Sequence, residues 1–312
     1  MALIYTYIGT TMTLIILLYA LFGSSFPICK VLLNYTTPLF LLGSRLLVAG
    51  PILLMYHSFI NKKPITFKWS HLSYFLQLTI LGMYLNYLIR FWALHDLPSL
   101  KVSFLFNLSP FFSALYSYFF FKEKMSKLQW IGLVIGFTGL IPLMLTTTLA
   151  EQELGEFFLI SWQELAVLTS VALHSYCWIL IRKLVKDKQY TPMMVNGISM
   201  TCGGLMALCT SMIVDGPFPV TNVAGFVKWS IVIILISNII CHNLYAFLLR
   251  KYTATFLSFA GFLSPLFSAL YGWGLLGETI TWHFFASALL VFIGLYLFYR
   301  EELIAHHPNP LE

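Results

Sequence analysis

Charge is what this chain has least of. Of its 312 residues only 10% are Asp, Glu, Lys or Arg, against 59% apolar. Soluble domains carry about 25% charged residues, and a chain this poor in charge cannot cover a surface in water. Acid is scarcer than base, 12 residues against 18, for a net charge of +6. The basic residues sit at the edges of apolar runs and form no patch or stripe, so nucleic acid is not an expected partner. The five cysteines (Cys29, Cys177, Cys202, Cys209, Cys241) lie inside apolar runs without a C-x-x-C pair. They read as small buried hydrophobes, neither disulfides nor metal ligands. No H-E-x-x-H and no G-x-x-x-x-G-K-[ST] loop is present, so no metal, cofactor or nucleotide drive is expected. The first lysine is Lys30, and the first apolar run is too long for a signal peptide; it reads as a retained span.

What is present is long hydrophobic runs. A helix needs about 20 mostly apolar residues to cross the hydrocarbon core. Ten segments qualify: 8–33, 36–59, 71–94, 99–121, 127–149, 162–185, 190–214, 226–249, 253–276 and 281–299. The chain thus reads as an all-α integral membrane protein with a short tail at 300–312. With a cytoplasmic N-terminus, Lys62, Lys63, Lys68, Lys122, Lys124, Lys127, Arg182, Lys183, Lys186, Lys188, Arg250, Lys251 and Arg300 all fall inside. That lysine and arginine bias puts both termini in the cytoplasm of a cell inner membrane.

The chain also repeats itself. Residues 109–116 read SPFFSALY and residues 264–271 read SPLFSALY, seven of eight identical at an offset of 155. The same register pairs Ser103 with Ser258, Glu123 with Glu278 and Gly139 with Gly294. Two units follow, 8–149 and 162–299, each of five spans. An odd number of spans forces the halves into opposite orientations, an arrangement common among secondary transporters with a site between the repeats.

These motifs carry a resemblance. P-F-F-S-A-L-Y from Pro110, the K-E pair ending at Glu123, and Gly132, Gly136 and Gly139 in the next helix belong to the first copy. P-L-F-S-A-L-Y from Pro265, G-E ending at Glu278 and F-I-G ending at Gly294 belong to the second. With F-G-S-S-F-P-I-C-K from Phe22 and G-S-R-L around Arg45, the chain resembles the EamA-type ten-helix members of the drug/metabolite transporter superfamily. Ser287 and Val291 replace two of the glycines in the second copy, a departure from the pattern. The resemblance implies a carrier of amino acids and related metabolites. Some similar carriers in intracellular bacteria move S-adenosylmethionine.

Ionisable residues inside spans cost roughly 2.5–3.5 kcal/mol each at mid-helix, so each needs a reason. Arg45 is the deepest, about 13 Å into its span at 1.5 Å per residue. Arg90 and Lys30 lie near span ends, where they either snorkel to the interface or meet a ligand. No acid lies deep in any span; His174 and His242 are the remaining titratable groups there.

In the third span Met83, Asn86, Tyr87 and Arg90 share a helical face. Adding 155 gives Asn238, Cys241, His242 and Tyr245 in the eighth. Two repeat-related faces that are polar together read either as walls of a cavity or as glue between helices. Asn107, its counterpart Phe262, and the i, i+4 pair His174 and Trp178 are further wall candidates. Pro110 and Pro265 break the helical ladder at equivalent places and are candidate gating hinges.

The expected cargo-binding set is therefore Arg45, Asn86, Arg90, Asn107, His174, Trp178, Asn238, His242 and Tyr245. Basic groups without acids suit a carboxylate, and aromatic rings suit a planar or cationic body. The reading is alternating access by a carrier whose partners are a small zwitterionic or anionic metabolite and the lipid bilayer, with no obligate protein partner. A lipid-modifying membrane enzyme is the rival, against which the lack of paired carboxylates counts. A channel is the second, against which Arg45 and the lack of a charged ring count.

Overall fold

The computed structural model describes residues 2–60, 67–122, 124–139, 141, 156–157, 160–250, 252–277, 280 and 282–306. The helices are α1 (Ala2–Leu33), α2 (Pro38–Phe59), α3 (Trp69–Asp96), α4 (Ser99–Phe121) and α5 (Lys127–Thr138). They continue with α6 (Trp162–Asp187), α7 (Pro192–Val214), α8 (Val223–Leu248), α9 (Phe256–Leu276) and α10 (Trp282–His306). Eight of these, α1–α4 and α6–α9, contain stretches long and apolar enough to cross a membrane. The tenth expected span holds a shorter apolar stretch, Trp282–Phe298. Most of the second half of the fifth expected span lies outside the described residues, as do Glu123 and Glu278 of the repeat.

Helix starts follow local chemistry. Thr37 caps α2 through Phe40 N at 3.4 Å, and Asn222 caps α8 through Gly225 N at 3.0 Å. Ser161 and Glu164 form a reciprocal capping box on α6. Each cap satisfies an amide that hydrocarbon could not. The tight link at Asn34–Thr37 is anchored on the segment after α7: Thr37 Oγ1 donates to Asp215 at 2.8 Å, and Thr36 pairs with Val220.

Because lipid is as apolar as leucine, helices in a membrane associate through close packing. Repeat-related helices meet directly here, α2 against α7 and α5 against α10. A Cβ on Gly204 would lie 2.6 Å from Leu47 N, and one on Gly294 would lie 2.4 Å from Gly132 O. Backbones therefore touch at both crossings. Large apolar side chains such as Leu17, Leu115, Trp130, Ile213, Leu235, Leu270 and Phe285 are exposed, as a lipid-facing surface requires. This is a multi-pass integral membrane protein. The cysteines correct one expectation: Cys29, Cys177 and Cys241 are buried, but Cys202 and Cys209 are exposed on α7. A residue in an apolar run can face lipid as readily as protein.

Four of the spans are irregular in their interiors. In α3 the ladder widens to a π-helix over Leu78–Leu85, and in α8 over Ile234–Cys241, near-equivalent places in the two repeats. α4 is interrupted by a 3-10 turn at Phe106–Leu108, and the same turn recurs before α9's second half at Gly261–Leu263. Pro110 and Pro265 then sit in the first turn of the restarted helices, where a missing N–H costs least.

Repeat-equivalent positions Lys122 and Gly277 end α4 and α9 in the left-handed conformation, with φ of 59° and 67°. Lysine pays a steric penalty there that glycine does not. Lys122→Gly is expected to stabilise the purified protein by about 0.5–1 kcal/mol, read as a higher melting temperature in detergent; an unchanged or lower one would contradict the assignment.

Candidate functional site

The irregular stretches surround one cavity. Its wall combines Tyr19, Phe22, Ser25, Phe26 and Cys29 of α1 with Arg45 of α2 and Tyr87, Arg90, Phe91 and Leu94 of α3. Phe106 and Ser109 of α4, His174 and Trp178 of α6, Ser237, His242 and Tyr245 of α8, and Ser258, Gly261 and Ser264 of α9 complete it. Both repeats contribute. Phe106, Ser109, Ser237, His242, Gly261 and Ser264 lie on or beside a helix break, whereas Arg45 comes from an unbroken stretch of α2.

Six of the nine expected residues line this cavity: Arg45, Arg90, His174, Trp178, His242 and Tyr245. Asn86, Asn107 and Asn238 do not. Asn86 accepts from Ser170 Oγ at 2.6 Å and donates to Gly82 O, joining α3 to α6. Asn238 lies against Met200 Sδ at 3.9 Å. Asn107 is buried, as is Phe262. The π-helical turns explain the misplacement in α8. Ser237 and His242, five residues apart, share the cavity, and His242 N bonds Ser237 O across that wider turn. A face drawn at 3.6 residues per turn selects Asn238 instead. In α3 the lining face is Tyr87, Arg90, Phe91 and Leu94, with Asn86 one residue off its edge.

Lys30 and Arg90 separate in role. Lys30 Nζ donates to Leu97 O at 2.5 Å, closing the end of α3. Arg90 does not snorkel; its guanidinium stands 4.1 Å over the Tyr87 ring and 5.4 Å from that of Phe106. Arg45 is buried, donates Nη1 to Cys29 Sγ at 3.2 Å, and lies 5.2 Å over Tyr87. Its Nε is buried without a hydrogen-bond partner. Among the described residues neither arginine has a carboxylate in reach; Glu164, the buried acid of α6, is paired with Lys101 at 2.9 Å.

The histidines have defined faces. Trp178 Nε1 donates to His174 Nε2 at 2.8 Å. An indole can only donate, so His174 is neutral and carries its hydrogen on Nδ1. Tyr87 Oη and His242 Nε2 lie 2.7 Å apart, and these two residues are repeat equivalents meeting across the halves. His242 Nδ1 is buried and has no partner. Trp178 stacks on Tyr245 at 3.9 Å and lies 5.4 Å from His242. The wall is thus rich in N–H donors and aromatic rings and has no acid among its described residues. It suits an acceptor-rich anionic group attached to a flat body.

Sequence reasoning missed most of the α1 wall. Tyr19, Phe22, Phe26 and Cys29 fall at i, i+3, i+7 and i+10, a helical stripe that was legible but looked like ordinary apolar packing. Tyr87 was on the right face and was passed over beside Arg90.

An inner cavity shared by two repeats of membrane helices is the architecture of a carrier. The chain belongs to the EamA-like transporter family, whose model matches residues 9–145 and 161–300. It is 31% identical to the S-adenosylmethionine/S-adenosylhomocysteine transporter of Chlamydia muridarum, covering 90% of this chain and 89% of that one. The transporter of the same name in Chlamydia trachomatis serovar D is 30% identical, over 90% and 86%. The inner membrane transporter YedA of Escherichia coli K12 is 24% identical, over 92% of each. A solved crystal structure shares the fold, with a TM-score of 0.72 at 15% identity over 96% of this chain and 99% of that one. The family and these relatives are transporters, not enzymes.

An unpaired guanidinium in a low-dielectric interior is held at a cost to stability. Arg45→Met is expected to stabilise the empty protein by about 1–3 kcal/mol, since it removes a buried orphan donor. Thermal unfolding without cargo checks this, and a loss of stability would mean that Arg45 is structural.

Proposed function

We propose that this protein carries S-adenosylmethionine and S-adenosylhomocysteine across the cell inner membrane by alternating access, with both termini cytoplasmic. The observation that carries the reading is the cavity itself: Arg45 and Arg90, with no carboxylate in reach among the described residues, beside a stacked Trp178 and Tyr245. An amino-acid carboxylate fits the guanidiniums, whose paired N–H donors match its two oxygens. An adenine fits among the rings. His174 Nδ1–H adds a donor suited to a ring nitrogen or a carboxylate oxygen. The named Chlamydia relatives support this cargo over other amino-acid derivatives.

What supports alternation is a broken symmetry between repeat-related serines. Ser113 of α4 and Ser258 of α9 lie 2.7 Å apart, joining the halves at one end of the cavity. Their equivalents at an offset of 155 are Ser268 of α9 and Ser103 of α4. Both are buried, and neither hydroxyl has a partner. A symmetric bundle would make both links or neither; a carrier held in one of two states makes one. In the opposite state the Ser103–Ser268 link forms and the Ser113–Ser258 link opens. Tyr245 Oη, 3.3 Å from Ser258, and Tyr19, bonded to Leu257 O, brace the closed end. The broken helices at Pro110 and Pro265 are where bending would concentrate.

Counterflow in proteoliposomes tests the cargo. Vesicles loaded with unlabelled S-adenosylhomocysteine should accumulate labelled S-adenosylmethionine without a proton gradient; accumulation driven only by unrelated amino acids would overturn the reading. Arg45→Ala and His242→Ala should each reduce uptake at least about tenfold while the protein still reaches the membrane. Pro265→Ala should change turnover more than apparent affinity if the break is a hinge. For alternation, a Ser113→Cys/Ser258→Cys disulfide and a Ser103→Cys/Ser268→Cys disulfide should each arrest transport and expose opposite sides of the cavity to impermeant thiol reagents. Identical labelling of both would sink the two-state account.

A further inference from the structure

We infer that the cavity binds the uncharged-sulfur form of its cargo, the thioether, more tightly than the sulfonium form that differs from it by one methyl group and one positive charge. The inference rests on the cargo reading above and deepens it. Both ligands share the adenosine, the carboxylate and the ammonium, so whatever holds those parts cancels in the comparison. Only the sulfur differs.

Two kinds of group favour a sulfonium: a carboxylate beside it, or a free aromatic face beneath it. No acid is among the residues that line the cavity. Glu164 is already matched to Lys101 at 2.9 Å, and Asp215 is held by Thr37 and Ser211. The aromatic faces nearest the arginines are occupied as well. Arg90 lies within 6 Å of the rings of Phe26, Tyr87, Phe91 and Phe106, and Arg45 lies over Tyr87 and Phe91. Trp178 and Tyr245 cover one face of each other at 3.9 Å, and their other faces, with Phe22, are taken by the adenine on the cargo reading.

A sulfonium therefore adds a further positive charge to a space that already holds two fixed ones, where low dielectric strengthens their repulsion. The carboxylate common to both ligands answers the guanidiniums equally in each case. The extra charge at sulfur is left uncompensated, and the sulfonium form is the weaker binder. Arg90 sets the difference, because its charge spans four of the rings that a sulfonium would use.

The test is binding to the purified full-length chain in nanodiscs, by competition against labelled S-adenosylhomocysteine. The competitors are S-adenosylhomocysteine, S-adenosylmethionine, and 5′-methylthioadenosine, whose sulfur is uncharged but which lacks the amino-acid carboxylate. S-adenosylhomocysteine should bind about fivefold or more tighter than S-adenosylmethionine, and 5′-methylthioadenosine at least about tenfold weaker than S-adenosylhomocysteine. Arg90→Gln should weaken S-adenosylhomocysteine and shrink the preference to about twofold or less, while Arg90→Lys, which keeps the charge, should retain it. A variant that is not monodisperse is replaced by wild-type protein titrated with salt and with both ligands, where the order of affinities still decides. S-adenosylmethionine binding as tightly as or tighter than S-adenosylhomocysteine, or a preference unmoved by Arg90→Gln, overturns the inference and leaves the cargo reading standing. Failure of both S-adenosyl ligands to bind sinks the cargo reading, and this inference with it.

Discussion

Two guanidiniums with no carboxylate in reach among the described residues set the terms for the rest of this cavity. In a bundle surrounded by hydrocarbon, an unpaired charge is tolerated only where something else takes its field. For Arg90 and Arg45 that something is a set of aromatic faces, with Tyr87 shared between them at 4.1 Å and 5.2 Å. Rings attract a cation less strongly than a carboxylate would. On the proposed function the charges are thereby kept available, since an ion pair like that of Lys101 with Glu164 would have consumed them. On that reading, the contrast between a lysine neutralised by Glu164 and two arginines set against rings is that between structural charge and charge held ready for a ligand.

Much of the architecture was legible because a membrane leaves few choices. Segments of about 20 apolar residues must be helices, and the expected 99–121 span is the observed Ser99–Phe121. The repeat was legible because two copies of S-P-x-F-S-A-L-Y leave no ambiguity of register. Within the cavity, ionisable and donor-bearing residues (Arg45, Arg90, His174, His242) stood out because each is expensive in hydrocarbon. The three asparagines were equally visible and led elsewhere. An asparagine can be satisfied by a neighbouring helix, as Asn86 is by Ser170, so its presence in a span does not say which side of the helix the cavity is on. An arginine has fewer ways to be satisfied and so marks the cavity more reliably.

The rest was hidden by geometry that sequence periodicity does not carry. A π-helical turn adds residues without breaking the hydrophobic run, and it put Ser237 rather than Asn238 in the α8 wall beside the expected His242. Aromatic residues of α1 were hidden for a different reason. Phenylalanine and tyrosine on a helical stripe look the same whether they meet another helix or a cavity.

The same irregularities bear on how the two halves differ. An exact duplicate would place equal partners at equal positions, and in several places the repeats do so: Tyr87 meets His242, and Lys122 and Gly277 end their helices alike. The serines do not, one pair joined and its equivalent unjoined. A helix interrupted by a 3-10 turn and restarted at a proline bends there at lower cost than a continuous helix. With Pro110 and Pro265 beside the cavity, each half can adjust around the site without dismantling the close crossings of α2 with α7 and α5 with α10. Those crossings, where backbones touch at Gly204 and Gly294, leave no slack to absorb a movement. On the proposed function, motion therefore belongs to α4 and α9, with α1 carried along where Gly23 meets Ser264 O of α9, while the α2–α7 and α5–α10 pairs hold the frame against which they move.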